Sequence, residues 1–158
     1  MVPLVSTNVG MEPLDLRTRP PRSCYDDLDG LMLVPRTIDK LRGFLPGGNP
    51  GEFIINGRIK GISGFLLEQL GITEDELRAV VADAESDDDV AAWLRDHTDP
   101  SRYATLNETL RRIKPKHAED PAYFAEYYRE TIAAHPEAET IFDILEADDR
   151  RIFPEHFR

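Results

Sequence analysis

The sequence predicts a mainly α fold, a compact bundle of six or seven short helices with one small β-hairpin. Apolar residues recur at intervals of three and four through residues 63–147, which is the spacing of one helix face. A capping box at Thr73 and Asp-Pro pairs at Asp99 and Asp120 mark three helix starts. Asn56-Gly57 lies between two β-prone runs and favours a two-residue hairpin turn.

The chain has the length of one domain, since 158 residues can bury a sizeable core without a disulfide or metal. We find no solenoid repeat and no change of composition that would divide it. The predicted domain, residues 1–158, has four parts: residues 1–10, without periodicity and a candidate for disorder; residues 11–30, an extended arm; residues 31–61, a helix, a glycine-rich loop and the hairpin; and residues 62–158, helical.

The first helix is expected to begin at Pro35, whose fixed φ suits a first helical position. Ile38, Leu41 and Leu45 follow at helical spacing and are expected to face the core. The other side of this helix carries four charged residues, which are Arg36, Asp39, Lys40 and Arg42.

The later helices are bounded by capping residues. Ser63 is expected to cap a helix that ends at Gly71, and an acidic run after Ser86 suits the positive end of the next helix dipole. A last helix is predicted over about residues 137–147. The aromatic tail, residues 151–157, is expected to dock on its own domain or on a neighbouring subunit, because exposed apolar clusters are uncommon in monomers.

The formal charge of −11 argues against a nucleic-acid partner and against adsorption to anionic membranes. The charge is uneven: residues 1–65 carry 8 Lys/Arg against 7 Asp/Glu, and residues 66–158 carry 11 against 23. An anionic ligand would therefore be best received by the first part. The alternative is that this basic part simply neutralises the acidic part of the same domain.

Motifs of metal or nucleophilic chemistry are missing from the sequence. The four histidines are far apart, without an HExxH pattern, and the acidic run at residues 87–89 lacks the spacing of a calcium loop. The single Cys24 follows an arginine, which could lower its thiol pKa, but no base is placed beside it by sequence. We therefore expect no metal and no cofactor.

The candidate ligand site combines a glycine-rich turn with charged side chains of the first helix and the arm. Successive backbone N–H groups in such a turn can form a nest for an anion. The predicted ligand-binding residues are Arg36, Asp39, Lys40, Arg42, Gly47, Gly48, Asn49 and Arg17. The alternative interpretation is an internal ion network of Arg36, Asp39 and Arg42 that locks the arm and hairpin to the helix.

Several of these residues also carry a resemblance. The runs LDLR at residues 14–17, PRTIDKLR at 35–42, LPGG at 45–48 and the helix end at 66–71 resemble a bacterial family described only as domain of unknown function 5069. The resemblance covers residues 12–98, with little recognisable past residue 101. It implies a small bacterial intracellular protein and offers no activity.

We expect a cytoplasmic protein that binds a small anionic metabolite, and we leave open whether it also converts that metabolite without a metal. The alternative is a protein-interaction module that uses the acidic helices of residues 74–99 or the aromatic tail, with a homodimer through that tail as one arrangement. A binder should show Arg36 and Lys40 exposed inside a concave pocket, whereas an interaction module should show them paired.

Overall fold

The computed structural model describes residues 10–158, and in them the predicted mainly α fold with one hairpin is confirmed. None of the helices in this range is both long and apolar enough to cross a membrane. The predicted disorder of residues 1–10 falls, except for Gly10, outside the described residues. The eight α-helices of the described part are α1 Val34–Arg42, α2 Ile62–Leu70, α3 Glu74–Asp83, α4 Asp87–His97, α5 Tyr103–Arg112, α6 Pro121–Tyr127, α7 Arg129–Ala134 and α8 Ile141–Ile152.

The hairpin lies earlier in the chain than predicted. Strands β1 (Asp27–Leu28) and β2 (Leu31–Met32) pair antiparallel. Asp29 and Gly30 connect them with φ angles of 55° and 86°, as a type I′ turn requires. The hairpin predicted around Asn56-Gly57 is wrong, because that segment forms only one isolated bridge and packs instead over α1 and α2.

Helix α1 lies at the centre of the molecule and is buried on every side. The charged side of α1, which the sequence places opposite the apolar stripe, is buried as well: the exposed fractions of Arg36, Asp39 and Lys40 are 2%, 1% and 5%. Polar periodicity identifies the two sides of a helix, but it does not say whether the polar side meets water or buried partners. The apolar side packs into one core cluster, which includes Ile38, Leu41, Leu66, Leu77, Leu110, Phe142 and Ile144.

The expected capping residues act at several helix starts. Thr73 forms the complete capping box of α3, and the Asp120 side chain accepts the backbone N–H of Tyr123 at the start of α6. Asp99 caps a short 3₁₀ turn that leads into α5. Ser63 is not a cap, since α2 begins one residue earlier and its hydroxyl is buried beside α1.

The C-terminal tail folds onto its own chain. Helix α8 begins later than predicted and continues to Ile152. The ring of Phe153 then stacks on the ring of Phe53, with 6.2 Å between centroids. The tail thereby reaches the segment of residues 51–61, which covers one end of α1.

Candidate functional site

A cavity of about 870 Å³ lies between α1, the segment of residues 51–61, α6 and α8. Exposed charged side chains stand at its rim, among them Arg17, Arg58, Lys60 and Glu119, while Arg36, Lys40 and Asp148 form a buried polar floor. Apolar and aromatic side chains make most of its wall. The aromatic lining residues are Phe53, Phe65, Tyr123, Phe124, Tyr127, Tyr128 and Phe153.

Lys40 is the cation of the floor that has no acidic partner. Its Nζ donates to the carbonyl oxygen of Ile54 at 3.1 Å and to Ser63 Oγ at 3.3 Å, and no carboxylate lies within 4 Å of it among residues 10–158. Burial, followed by repulsion from Arg36, lowers the pKa of Lys40 to about 7. The ammonium form therefore lacks the compensation that a buried charge normally has.

Arg36 lies beside Lys40 and is already neutralised. Its Nη1 donates to Asp149 Oδ2 at 2.7 Å and to the carbonyl oxygen of Arg22 at 3.1 Å. Both side chains of the pair are almost completely buried. The guanidinium also lies over the ring of Phe53, 5.6 Å from its centroid, and Nε finds no acceptor in the described part of the chain. Burial raises the pKa of Asp149 despite the attraction of Arg36.

Asp39 and Arg42 belong to a different cluster and do not line the cavity. The Asp39 carboxylate accepts the backbone N–H of Arg22 at 2.8 Å and the Arg22 guanidinium at 3.0 and 3.1 Å. Arg42 adds a contact at 3.3 Å, and Arg22 continues to Asp87 at 2.6 Å. This cluster ties the arm to α1 and α4. It contains Asp39 and Arg42 of the alternative ion network, whereas Arg36 pairs with Asp149 instead.

The glycine-rich turn at Gly47, Gly48 and Asn49 is also separate from the cavity, and two of its backbone donors are occupied. The N–H of Gly48 donates to the carbonyl oxygen of Leu45, and the N–H of Asn49 donates to that of Leu14. The Asn49 side chain accepts the N–H of Gly51. The turn therefore holds the arm through a parallel bridge instead of presenting these N–H groups to an anion.

The structure thus divides the predicted ligand-binding residues. Arg36, Lys40 and Arg17 line the cavity, with Arg17 at the rim paired to Asp15. Asp39 and Arg42, together with the predicted glycine-rich turn at Gly47, Gly48 and Asn49, lie outside the lining.

Sequence reasoning missed the rest of the floor and the wall. The sequence predicts Ser63 as a helix cap and places Asp148 just beyond the predicted end of the last helix, and no local signal links either residue to Lys40, 23 or more positions away. Cys24 also differs from the sequence interpretation, in which a nearby arginine could lower the pKa of its thiol. Burial instead raises that pKa to about 12, so the thiol is not an activated nucleophile.

The fold and the cavity define a small helical protein with a largely apolar pocket above buried charged side chains. The chain belongs to the family described as "Domain of unknown function (DUF5069)", whose model matches residues 18–151. The match extends well beyond the resemblance over residues 12–98 and includes α5 to α7 and nearly all of α8. No curated protein matches the chain.

Proposed function

We propose that the cavity binds a small organic molecule with an apolar body and one anionic group. The observation that carries this proposal is a buried lysine, Lys40, that lines a largely apolar cavity and has no acidic partner among residues 10–158. Ligand sites are commonly apolar pockets with a few polar groups that fix orientation.

The charges of the floor favour one anionic group on the ligand. Arg36 is neutralised by Asp149, and Asp148 accepts a hydrogen bond from Thr131 and pairs with Arg151. Among the charges of the floor, Lys40 alone would gain an opposite charge from a ligand. A carboxylate supplies that single charge, whereas a phosphate dianion would need more donors than this floor offers.

The side chains of the wall favour an apolar or aromatic structure for the uncharged part of the ligand. Aromatic rings from the segment 51–61, α2, α6 and the tail surround a space large enough for a molecule of drug-like size. Contact with these rings contributes apolar burial, and ring-to-ring packing contributes further for an aromatic ligand. An arylalkyl carboxylate is the simplest compound that satisfies both ends of the cavity.

The test is calorimetric titration with 4-phenylbutyrate and its uncharged analogue 4-phenylbutanol. We expect the carboxylate to bind roughly tenfold more tightly, because it alone compensates Lys40. Lys40→Met should abolish this difference, whereas Lys116→Met, a change at an exposed lysine outside the cavity lining, should preserve it. The preference should weaken above pH 7, since free Lys40 then loses its proton. Equal affinity for both compounds in the wild type would contradict the proposal.

The interaction module remains the alternative function, with less support from the geometry. Phe153 of the tail is engaged with Phe53, and Asp87 of the acidic helices is engaged with Arg22. A binder is expected to expose Arg36 and Lys40 in the cavity, and an interaction module is expected to pair them. Arg36 is paired, whereas Lys40 lines the cavity without an acidic partner in the described chain.

A further inference from the structure

The contacts around Lys40 determine which atom is the donor in each hydrogen bond. Thr37 Oγ1 donates to the carbonyl oxygen of Leu33 at 2.8 Å. A hydroxyl has one proton, so the 2.9 Å contact between Thr37 Oγ1 and Ser63 Oγ uses the proton of Ser63. Ser63 therefore meets Lys40 Nζ as an acceptor. The carbonyl oxygen of Ile54 is the other acceptor of the amine.

Lys40 Nζ consequently donates two N–H groups to fixed acceptors. A tetrahedral nitrogen has one position left after these two and its bond to Cε. In the neutral amine that position is the lone pair, and Lys40 belongs to the lining of the cavity. The two acceptors thus hold the amine in an orientation that leaves its lone pair for a bound molecule.

We propose that Lys40 is a nucleophilic amine that condenses reversibly with an aldehyde or ketone group of a molecule bound in the cavity. This inference rests on the proposed binding function and specifies its chemistry. The ligand would then carry a carbonyl group near its polar end. Amines desolvated in apolar pockets or placed next to another cation are the type of lysine that forms imines.

The step balances without an oxidant or a second reactant. The Nζ lone pair attacks the carbonyl carbon, the C–N bond forms, and the carbonyl oxygen takes up a proton to give a carbinolamine. Loss of that oxygen as water, together with the second nitrogen proton, leaves the C=N bond. Solvent in the open cavity exchanges the protons, and hydrolysis returns the free amine and the carbonyl compound.

The surroundings of Lys40 favour the neutral amine. Arg36 presents a positive charge from the same helix, and the thiol of Cys24 is held in its neutral form by burial. Asp149, from α8, is engaged by Arg36. About half of the Lys40 side chains are neutral near pH 7, against on the order of 1 in 10³ for an exposed lysine.

The test is reductive trapping on the full chain, which has only four lysines. The protein is treated at pH 7 with cyanoborohydride and either acetaldehyde or phenylpyruvate, and the labelled lysine is located by peptide mass spectrometry. We expect Lys40 to be labelled roughly tenfold faster than exposed Lys60, Lys114 or Lys116, because its neutral fraction is much larger. Lys40→Arg should lose this fast label, and Lys116→Arg, a change outside the cavity lining, should retain it.

The outcomes separate this inference from the proposed function. Binding of 4-phenylbutyrate without preferential labelling of Lys40 by either carbonyl compound would overturn the nucleophile and leave the binding proposal standing. Preferential labelling by acetaldehyde, with no binding of 4-phenylbutyrate, would support the nucleophile and reject the arylalkyl carboxylate as the ligand class. Protection of Lys40, but not of Lys116, by 4-phenylbutyrate would support both.

Discussion

Three buried charges on α1 have three different environments. Asp39 accepts hydrogen bonds from Arg22 and a further contact from Arg42, and Arg36 is paired with Asp149. Removing one member of such a pair leaves the other charge buried, which costs about 3 to 5 kcal/mol. Lys40 has only neutral acceptors among the described residues, so it is the charge that burial affects most.

The lowered pKa of Lys40 predicts how the unfolding free energy of the protein changes with pH. The folded pKa is about 7 and lies below the unfolded value of about 10.4, so the unfolded state binds more protons between these values. The contribution of Lys40 to the unfolding free energy should therefore rise with pH above 7, by up to about 1.4 kcal/mol per pH unit. Arg36, Cys24 and Asp149 face the same group and contribute to the shift.

The measurement is urea denaturation of the wild type and Lys40→Met at pH 7.0, 7.75 and 8.5. The difference between the two proteins isolates Lys40 from other titrating groups. We expect the wild type to gain stability relative to the variant over this window. A difference that stays constant with pH would place the Lys40 pKa in its ordinary range.

At the scale of the elements, the segment 51–61 lies directly on α2 through a glycine. A Cβ on Gly64 would be 2.4 Å from Asn56 Oδ1 and 2.7 Å from the carbonyl oxygen of Ile55. This close approach keeps the neighbouring Ile54 carbonyl within reach of Lys40 Nζ. The absence of a side chain at this position therefore helps to build the floor of the cavity.

Gly64→Ala should displace this segment and destabilise the fold by about 1 to 3 kcal/mol, the usual effect of overpacking. It should also weaken 4-phenylbutyrate binding in calorimetry. The matched control is Gly71→Ala at the end of the same helix, where φ is 73° and nothing lies within 4 Å of the added Cβ. This control should cost about 1 kcal/mol of backbone strain and leave binding unchanged. Unaltered binding in Gly64→Ala would show that the contact is dispensable for the site.

For the whole molecule, the uneven charge of the sequence is partly neutralised inside the fold. Arg22 pairs with Asp87 and Arg36 pairs with Asp149, so cations from the first 65 residues meet carboxylates from the rest of the chain. This agrees with the simpler interpretation of the charge pattern. Only the cations left without such partners, Lys40 foremost, support a ligand.

The C-terminal tail contributes Phe153 to the wall of the cavity, and two truncations test the role of this contact. Removal of residues 154–158 should change stability by less than about 1 kcal/mol, because these residues are mostly exposed. Removal of residues 153–158 should cost roughly 1 to 2 kcal/mol more and weaken 4-phenylbutyrate binding, since Phe153 stacks on Phe53 and lines the cavity.

Denaturation and titration of both truncated chains measure these effects. Native mass spectrometry of the full chain and of both truncations tests the homodimer through the tail that the sequence offers as one arrangement. A dimer of the full chain that persists in both truncations would rule the tail out as its main contact. Equal behaviour of the two truncations would exclude Phe153 as a significant contact.

The sequence by itself determined the helical class and several helix starts and ends. Thr73, Asp120 and Gly71 act through bonds to residues within one or two turns, so their roles can be read locally. Local signals also failed where two sites compete: Asp29-Gly30 forms the hairpin, and Asn56-Gly57, with a stronger flanking pattern, does not.

The tertiary structure alone decided the site. Asp149 lies 113 positions from Arg36, and Ser63 lies 23 positions from Lys40, separations at which sequence periodicity carries no information about contact. The pattern Arg36, Asp39 and Lys40 marked α1 as unusual. Which charge is paired and which remains for a ligand depends on burial and on partners from distant elements, because the energy of a charge is set by its surroundings.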